Sequence, residues 1–167
     1  DVLTACHVLE LSTRFSSHCR VVVAQHKAVP VLLALIRSCN RSVHHQKVIA
    51  SALSVLYHLA NCRETVRMMF DVHPLVDTLV ELMQIYRTVP ELFLPSVHIM
   101  QFFANIPECR VVIRSNRTLC KMMVKIHEIL THKLSIEERY GTSKGPKPPT
   151  SAPSQLKENE PEMMRYK

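Results

Sequence analysis

Ten histidines and six cysteines are the residues here best suited to metal binding or nucleophilic chemistry. The tightest groupings are His18-Cys19 and His44-His45. Both are adjacent pairs, and neighbouring residues on a helix or strand point apart, whereas zinc sites draw on spacings such as C-x-x-C or H-x-x-x-H. No metal centre is expected. No Asp or Glu is spaced to orient an imidazole beside a cysteine, so nucleophilic catalysis has no constellation either. Both glycines, Gly141 and Gly145, fall late, leaving the first 140 residues without one. Phosphate-cradling loops and nucleophile elbows need glycine where backbone approaches a ligand or takes positive φ. The expectation is a chain with no catalytic residue, no cofactor and no small-molecule substrate.

The remaining polar patterns point to binding. Lys47, Ser51, Ser54, His58 and Asn61 step by 4, 3, 4 and 3 residues, as do Glu91, Pro95, His98, Phe102 and Asn105 further along. Each set makes one helix face. Asn61 and Asn105 either terminate their helices or form a two-rung ladder for an extended peptide backbone. Arg110, Arg114, Arg117, Lys121 and Lys125 step by 4, 3, 4 and 4 residues. They are either a basic ridge or a solvated face that keeps the chain soluble, and a bend near Ser115-Asn116 would split it. A P-x-x-P match, Pro146-Lys147-Pro148-Pro149, could dock an SH3-like groove or act as a flexible basic spacer.

These patterns need a scaffold, and the scaffold repeats. The pair Cys-Arg recurs at 19–20, 62–63 and 109–110, separated by 43 and 47 residues. Leu11-Ser12-Thr13, Leu59-Ala60-Asn61 and Phe103-Ala104-Asn105 recur 48 and 44 residues apart. Armadillo and HEAT arrays repeat every 40–47 residues or so. Apolar periodicity predicts helices over 17–27, 29–38, 43–60, 63–72, 74–87, 91–105, 107–114 and 117–134. Three helices per period is the armadillo pattern. The expected fold is all-α, a right-handed armadillo/HEAT-like solenoid of about 2.5 to 3 repeats. Pro30, Pro74, Pro90 and Pro107 lie near helix starts, while Pro95 should kink or delay its helix. Asn40, Asn61, Asn105 and Asn116 stand where left-handed helix ends are expected in the absence of glycine.

Val2, Leu3, Cys6 and Leu9 already follow helical spacing, so the chain is expected to open inside a repeat and to leave apolar surface for a longer protein to cover. The helical domain is assigned to 1–134. Residues 135–167, rich in Pro, Ser and Lys from 141 onward, are assigned to a disordered tail.

The net charge is +7. Residues 1–134 carry 15 Lys and Arg against 9 Asp and Glu, so the basic excess belongs to the helical part. That sign favours acidic protein surfaces. With aromatic residues at 5% and no Trp, single-stranded nucleic acid is a poor fit. The apolar run 29–36 is far shorter than the roughly 20 residues of a membrane helix. Scattered cysteines without a disulfide framework fit a reducing cytoplasm or nucleus.

Residues 26–48, HKAVPVLLALIRSCNRSVHHQKV, resemble the C-terminal region of the abnormal spindle family, most sharply at Leu35-Ile36-Arg37-Ser38-Cys39-Asn40-Arg41-Ser42. The resemblance implies a large cytoskeletal protein of spindle poles and microtubule minus ends, with calponin-homology domains and calmodulin-binding IQ motifs ahead of a helical-repeat end. Neither pattern occurs in these residues, so calmodulin contact is not carried over. Arg37, Asn40 and Arg41 are the matching polar positions, as partner contacts or as residues that shape a turn. The function expected is a non-enzymatic interaction module of a spindle-pole or minus-end scaffold, binding acidic proteins or microtubules. The alternative is a general armadillo adaptor for extended peptides outside the spindle.

Overall fold

The computed structural model describes residues 1–140. Every element among them is a helix: α1 (Val2–Phe15), α2 (Ser17–Gln25), α3 (Ala28–Ser38), α4 (Val43–Ala60), α5 (Val66–Phe70), α6 (Leu75–Ile85), α7 (Pro90–Ala104), α8 (Pro107–Ser115) and α9 (Arg117–Tyr140). The chain forms two compact units, Asp1–His127 and Glu128–Lys167. The described part of the second is the end of α9. No single helix among the described residues is long and apolar enough to cross a membrane.

Local chemistry starts most of these helices. Asp1, Ser16, Ser42 and Asn116 use side-chain oxygens to accept an N–H from the first turns of α1, α2, α4 and α9, at 3.1, 3.2, 3.4 and 3.0 Å. Each satisfies a donor that has no partner inside its own helix. Pro90 and Pro107 open α7 and α8, where their missing N–H removes no helical bond.

Three helices form the spine. α1 packs along α4, and α4 along α7. α2 and α3 lean on α4, while α5 and α6 lean on α7. α4 is therefore enclosed, and Ala52, Leu53, Val55, Leu56 and Leu59 are fully buried. The core continues through Met69, Leu75, Leu79 and Met83 to Ile99 and Phe103. At about 1.5–3 kcal/mol for each large apolar side chain removed from water, this common core outweighs the weak stability of any one of these helices alone.

The Cys-Arg marker has a structural meaning. Arg20 donates from Nε to the Thr13 carbonyl at 2.6 Å, and a second guanidinium N–H reaches Arg14 O at 3.0 Å. Arg110 donates from Nε to Ala104 O at 2.9 Å. Both arginines close the carbonyl end of a spine helix. At the end of α4 the buried Thr65 hydroxyl does this instead, donating to Leu59 O.

Several expectations are corrected. None of Asn61, Asn105 and Asn116 is left-handed at its helix end: all three have φ −75°. The positive φ among the described residues belongs to Lys27, at 56°, where α2 turns into α3. Capping by arginine and threonine side chains and by turn hydrogen bonds makes a left-handed asparagine unnecessary. Of the kink or delay expected at Pro95, the delay does not occur, since α7 starts at Pro90 and runs through Pro95. The helix expected over 63–72 shrinks to Val66–Phe70, because Cys62–Thr65 forms turns around the Thr65 hydroxyl. α9 continues to Tyr140, past the helix end expected at 134, since no Gly or Pro interrupts 135–140. The tail assigned beyond 140, with its P-x-x-P match, lies outside the described residues.

Candidate partner-binding face

The α4 and α7 faces read from the sequence separate into an inner and an outer part. Ser51 is only 3% exposed and donates to Glu10 Oε2 at 3.0 Å, while half-buried Ser54 donates to Glu10 Oε1 at 2.7 Å. These two serines therefore stitch α4 to α1. His7, next to Cys6, stands 3.4 Å from the same carboxylate, so an acidic residue does lie beside an imidazole that neighbours a cysteine, contrary to the expectation from the sequence, although burial raises the Cys6 pKa. Ser51 is thus turned into the α1 seam, because Glu10 offers it a charged acceptor where the helix is otherwise apolar.

On the other side of α4 the structure assembles a cleft of about 360 Å³, lined by Ser54, Tyr57, Pro90, Glu91, Leu94, Pro95 and His98. Four of the expected residues, Ser54, Glu91, Pro95 and His98, meet there. Tyr57 is the centre of an aromatic group, with ring centroids 5.4 Å from His58, 5.9 Å from His98 and 5.8 Å from Phe102. Leu94 is 50% exposed at the rim. Neither Tyr57 nor Leu94 was singled out in the sequence. The available signal was their flanking position, Tyr57 beside His58 and Leu94 beside Pro95.

Burial pushes the His58 imidazole below its ordinary pKa of 6.5, with Arg20 and, less strongly, Arg14 adding to the effect against Glu10. His58 is neutral at physiological pH as a result. Lys47, Asn61, Glu91 and Asn105 are all exposed. The side chains of Asn61 and Asn105 make no hydrogen bond among the described residues, and both residues end helices.

The basic series is broken in the middle. Asn116 takes an extended conformation, ψ 95°, between α8 and α9; its Oδ1 caps α9 and its amide N–H donates to Asp77 Oδ1 at 3.3 Å. Arg110 and Arg114 thus sit on α8 and Arg117, Lys121 and Lys125 on α9, all exposed. The break that would split the series therefore falls at Asn116.

The loop between α3 and α4 is tied by its own residues. Asn40 N–H donates to His45 Nδ1 at 3.0 Å, Ser42 N–H to Asn40 Oδ1 at 2.9 Å, and Gln46 Nε2 to Arg41 O at 2.9 Å. Arg37, Asn40 and Arg41 also border a second cleft of about 360 Å³ with Glu81 and Tyr86 of the α6 region. Asn40 and the Arg41 carbonyl shape the turn, and the two guanidinium groups are left exposed.

No group of three or more His, Cys, Asp and Glu among the described residues could hold a metal ion. All six cysteines are free. Burial raises the pKa of Cys6, Cys39 and Cys109 and keeps them as neutral thiols, the poorly nucleophilic form.

Fold and face together define an all-helical protein among its described residues, with exposed clefts between packed helices. Its relatives are spindle proteins. Over 86 residues, 52% of this chain and 3% of the relative, it is 46% identical to the abnormal spindle-like microcephaly-associated protein homolog of Bos taurus. The homologs of Saimiri boliviensis boliviensis and Mus musculus match at 44% and 39% over 89 residues, 53% of the chain and 3% of each relative. Across that half, the chain is a relative of the abnormal spindle family. It spans about 3% of the length of the curated relatives it matches. No family model and no solved structure matches the chain.

Proposed function

We propose that the chain is a non-enzymatic protein-interaction module, an armadillo-type right-handed solenoid of about 2.5 to 3 repeats, serving a spindle-pole or microtubule minus-end scaffold. The observation that carries this reading is the α1–α4–α7 row. Helices in the same phase of the repeat lie side by side and leave clefts between them, which is how a solenoid offers an extended surface to a protein partner. The names of the relatives supply the spindle context.

The partner is an acidic protein surface. The cleft around Tyr57, Leu94 and Pro95 takes an apolar side chain of that partner, and the exposed amides of Asn61 and Asn105 hold its backbone. Arg110, Arg114, Arg117, Lys121 and Lys125 meet its acidic groups. Arg37 and Arg41 form a second, smaller basic contact. The work is done in the cytoplasm at the spindle pole.

Co-sedimentation with microtubules over a salt series, with and without the acidic tubulin tails, tests the reading. Binding should fall as salt rises and weaken when the tails are removed. Equal pelleting with and without the tails at every salt concentration would remove the acidic-surface reading.

A further inference from the structure

α1 repeats the spine position of α4 and α7 but is covered differently. The 48-residue offset aligns Thr4, Val8 and Leu11 with Ala52, Leu56 and Leu59, and a further 44 residues aligns these with Ser96, Met100 and Phe103. In α4 and α7 all six aligned positions are buried. In α1, Val8 is 60% exposed and Leu11 53%, Thr4 is exposed, and Phe15 one turn on is 77% exposed. These four residues follow helical spacing, and a shallow depression lies over Thr4, Val8 and Ser12. The packing differs accordingly: α2 and α3 lie against α4, α5 and α6 against α7, while among the described residues α1 packs chiefly against α4 and α2.

Building on the solenoid reading, we propose that the Thr4–Val8–Leu11–Phe15 stripe of α1 is a docking seam for a pair of short helices with an apolar stripe like those of α3 and α6. The chemistry of the occupant follows from the interface that already exists twice in the fold. α3 carries Val29, Leu32, Leu33 and Ile36, and α6 carries Leu75, Leu79, Leu82 and Met83, all buried, and the two helices pack on α4 and α7 respectively. Branched and thioether side chains of that size fit a Val-Leu-Phe stripe, and a polar or strongly charged partner would strip water from its groups without replacement. The four stripe residues are uncharged, and the neighbouring Arg14 guanidinium lies over the Phe15 ring, 5.4 Å from its centroid.

The test supplies the pair from the chain's own sequence. A copy of residues 17–49 joined directly to Val2 puts α2, α3 and the first turns of α4 ahead of α1 in the register that α4 already uses. Thermal melting and binding of an apolar dye are read on the original and extended chains, each with and without Leu11→Glu. Dye binding should fall on extension. Leu11→Glu should leave the original melting midpoint nearly unchanged and lower that of the extended chain by roughly 5 °C or more. An equal effect of Leu11→Glu in both chains overturns the proposal, and so does an extended chain that fails to fold or binds more dye. A concentration-dependent dimer of the original chain that Leu11→Glu abolishes assigns the stripe to a second copy and also overturns it. Leu56→Glu, at the aligned buried position, should unfold both chains; tolerance of that change would sink the repeat phase itself, an outcome separable from failure of the seam.

Discussion

Glu10 shows how one side chain decides which way a helix faces. Its two carboxylate oxygens accept from Ser51 and Ser54, 41 and 44 residues away in sequence. Hydrogen bonds to a charged acceptor are stronger than neutral ones, and losing this acceptor strands the buried Ser51 hydroxyl. Glu10→Ala should therefore cost about 1–3 kcal/mol in urea unfolding. Ser54→Ala, at a half-buried site, should cost less.

His58 sits beside that seam and carries a pH signature. Its folded pKa lies below 6.5, so the unfolded chain binds more protons as the pH falls past that value. The stability that depends on neutral His58 is fully present above 6.5 and is lost as the pH drops through the folded pKa. The urea midpoint should decline between neutral and mildly acidic pH, and His58→Gln should flatten part of that decline. A slope unchanged by His58→Gln would show that the imidazole is not its source.

At the scale of the element, α7 carries a proline that also lines a cleft. Pro95 lies inside the helix, lacks an N–H and lines the Tyr57 cleft. Pro95→Ala restores one helical donor and should stabilise the chain by about 1 kcal/mol in thermal melting. The same change removes part of the cleft, so binding of an apolar-anchored peptide should weaken while stability rises. That opposition separates a binding role from a structural one. Helix ends were also only partly legible in the sequence. The Cys-Arg marker was visible as a repeat, yet its use, a guanidinium on the last carbonyls of a spine helix, depends on residues that meet only after the chain turns. The short α5 was overestimated because the turn around Thr65 competes with helix in a segment whose composition favours neither.

For the whole molecule, the proposed reading assigns the cleft and the basic residues different parts of a partner, and titration with an acidic peptide tells them apart. Asn61→Asp with Asn105→Asp should leave the melting midpoint unchanged, because Asp also fits a helix end, and should weaken an acidic peptide by adding like charge to the groove. Arg117→Glu with Lys121→Glu should weaken the same peptide most at low salt, where exposed charges act furthest. Loss of affinity in the second pair with no change in the first would put binding on the basic residues and leave the asparagines as helix ends.

The helices and their order were legible along the chain, because apolar spacing, capping residues and prolines act within a few positions. The positions of α3, α4 and α7 follow from those local terms to within a residue or so. The environment of each helix face was decided only by the tertiary structure. Ser51 and Tyr57 lie on one wide, mostly apolar helix, and nothing local distinguishes an inward serine from an outward tyrosine. Glu10 draws the first into a seam, and the approach of α7 leaves the second lining a cleft. Val8 and Leu11 are as apolar as Leu56 and Leu59, and their exposure follows from the neighbouring helices, which periodicity within one segment does not specify.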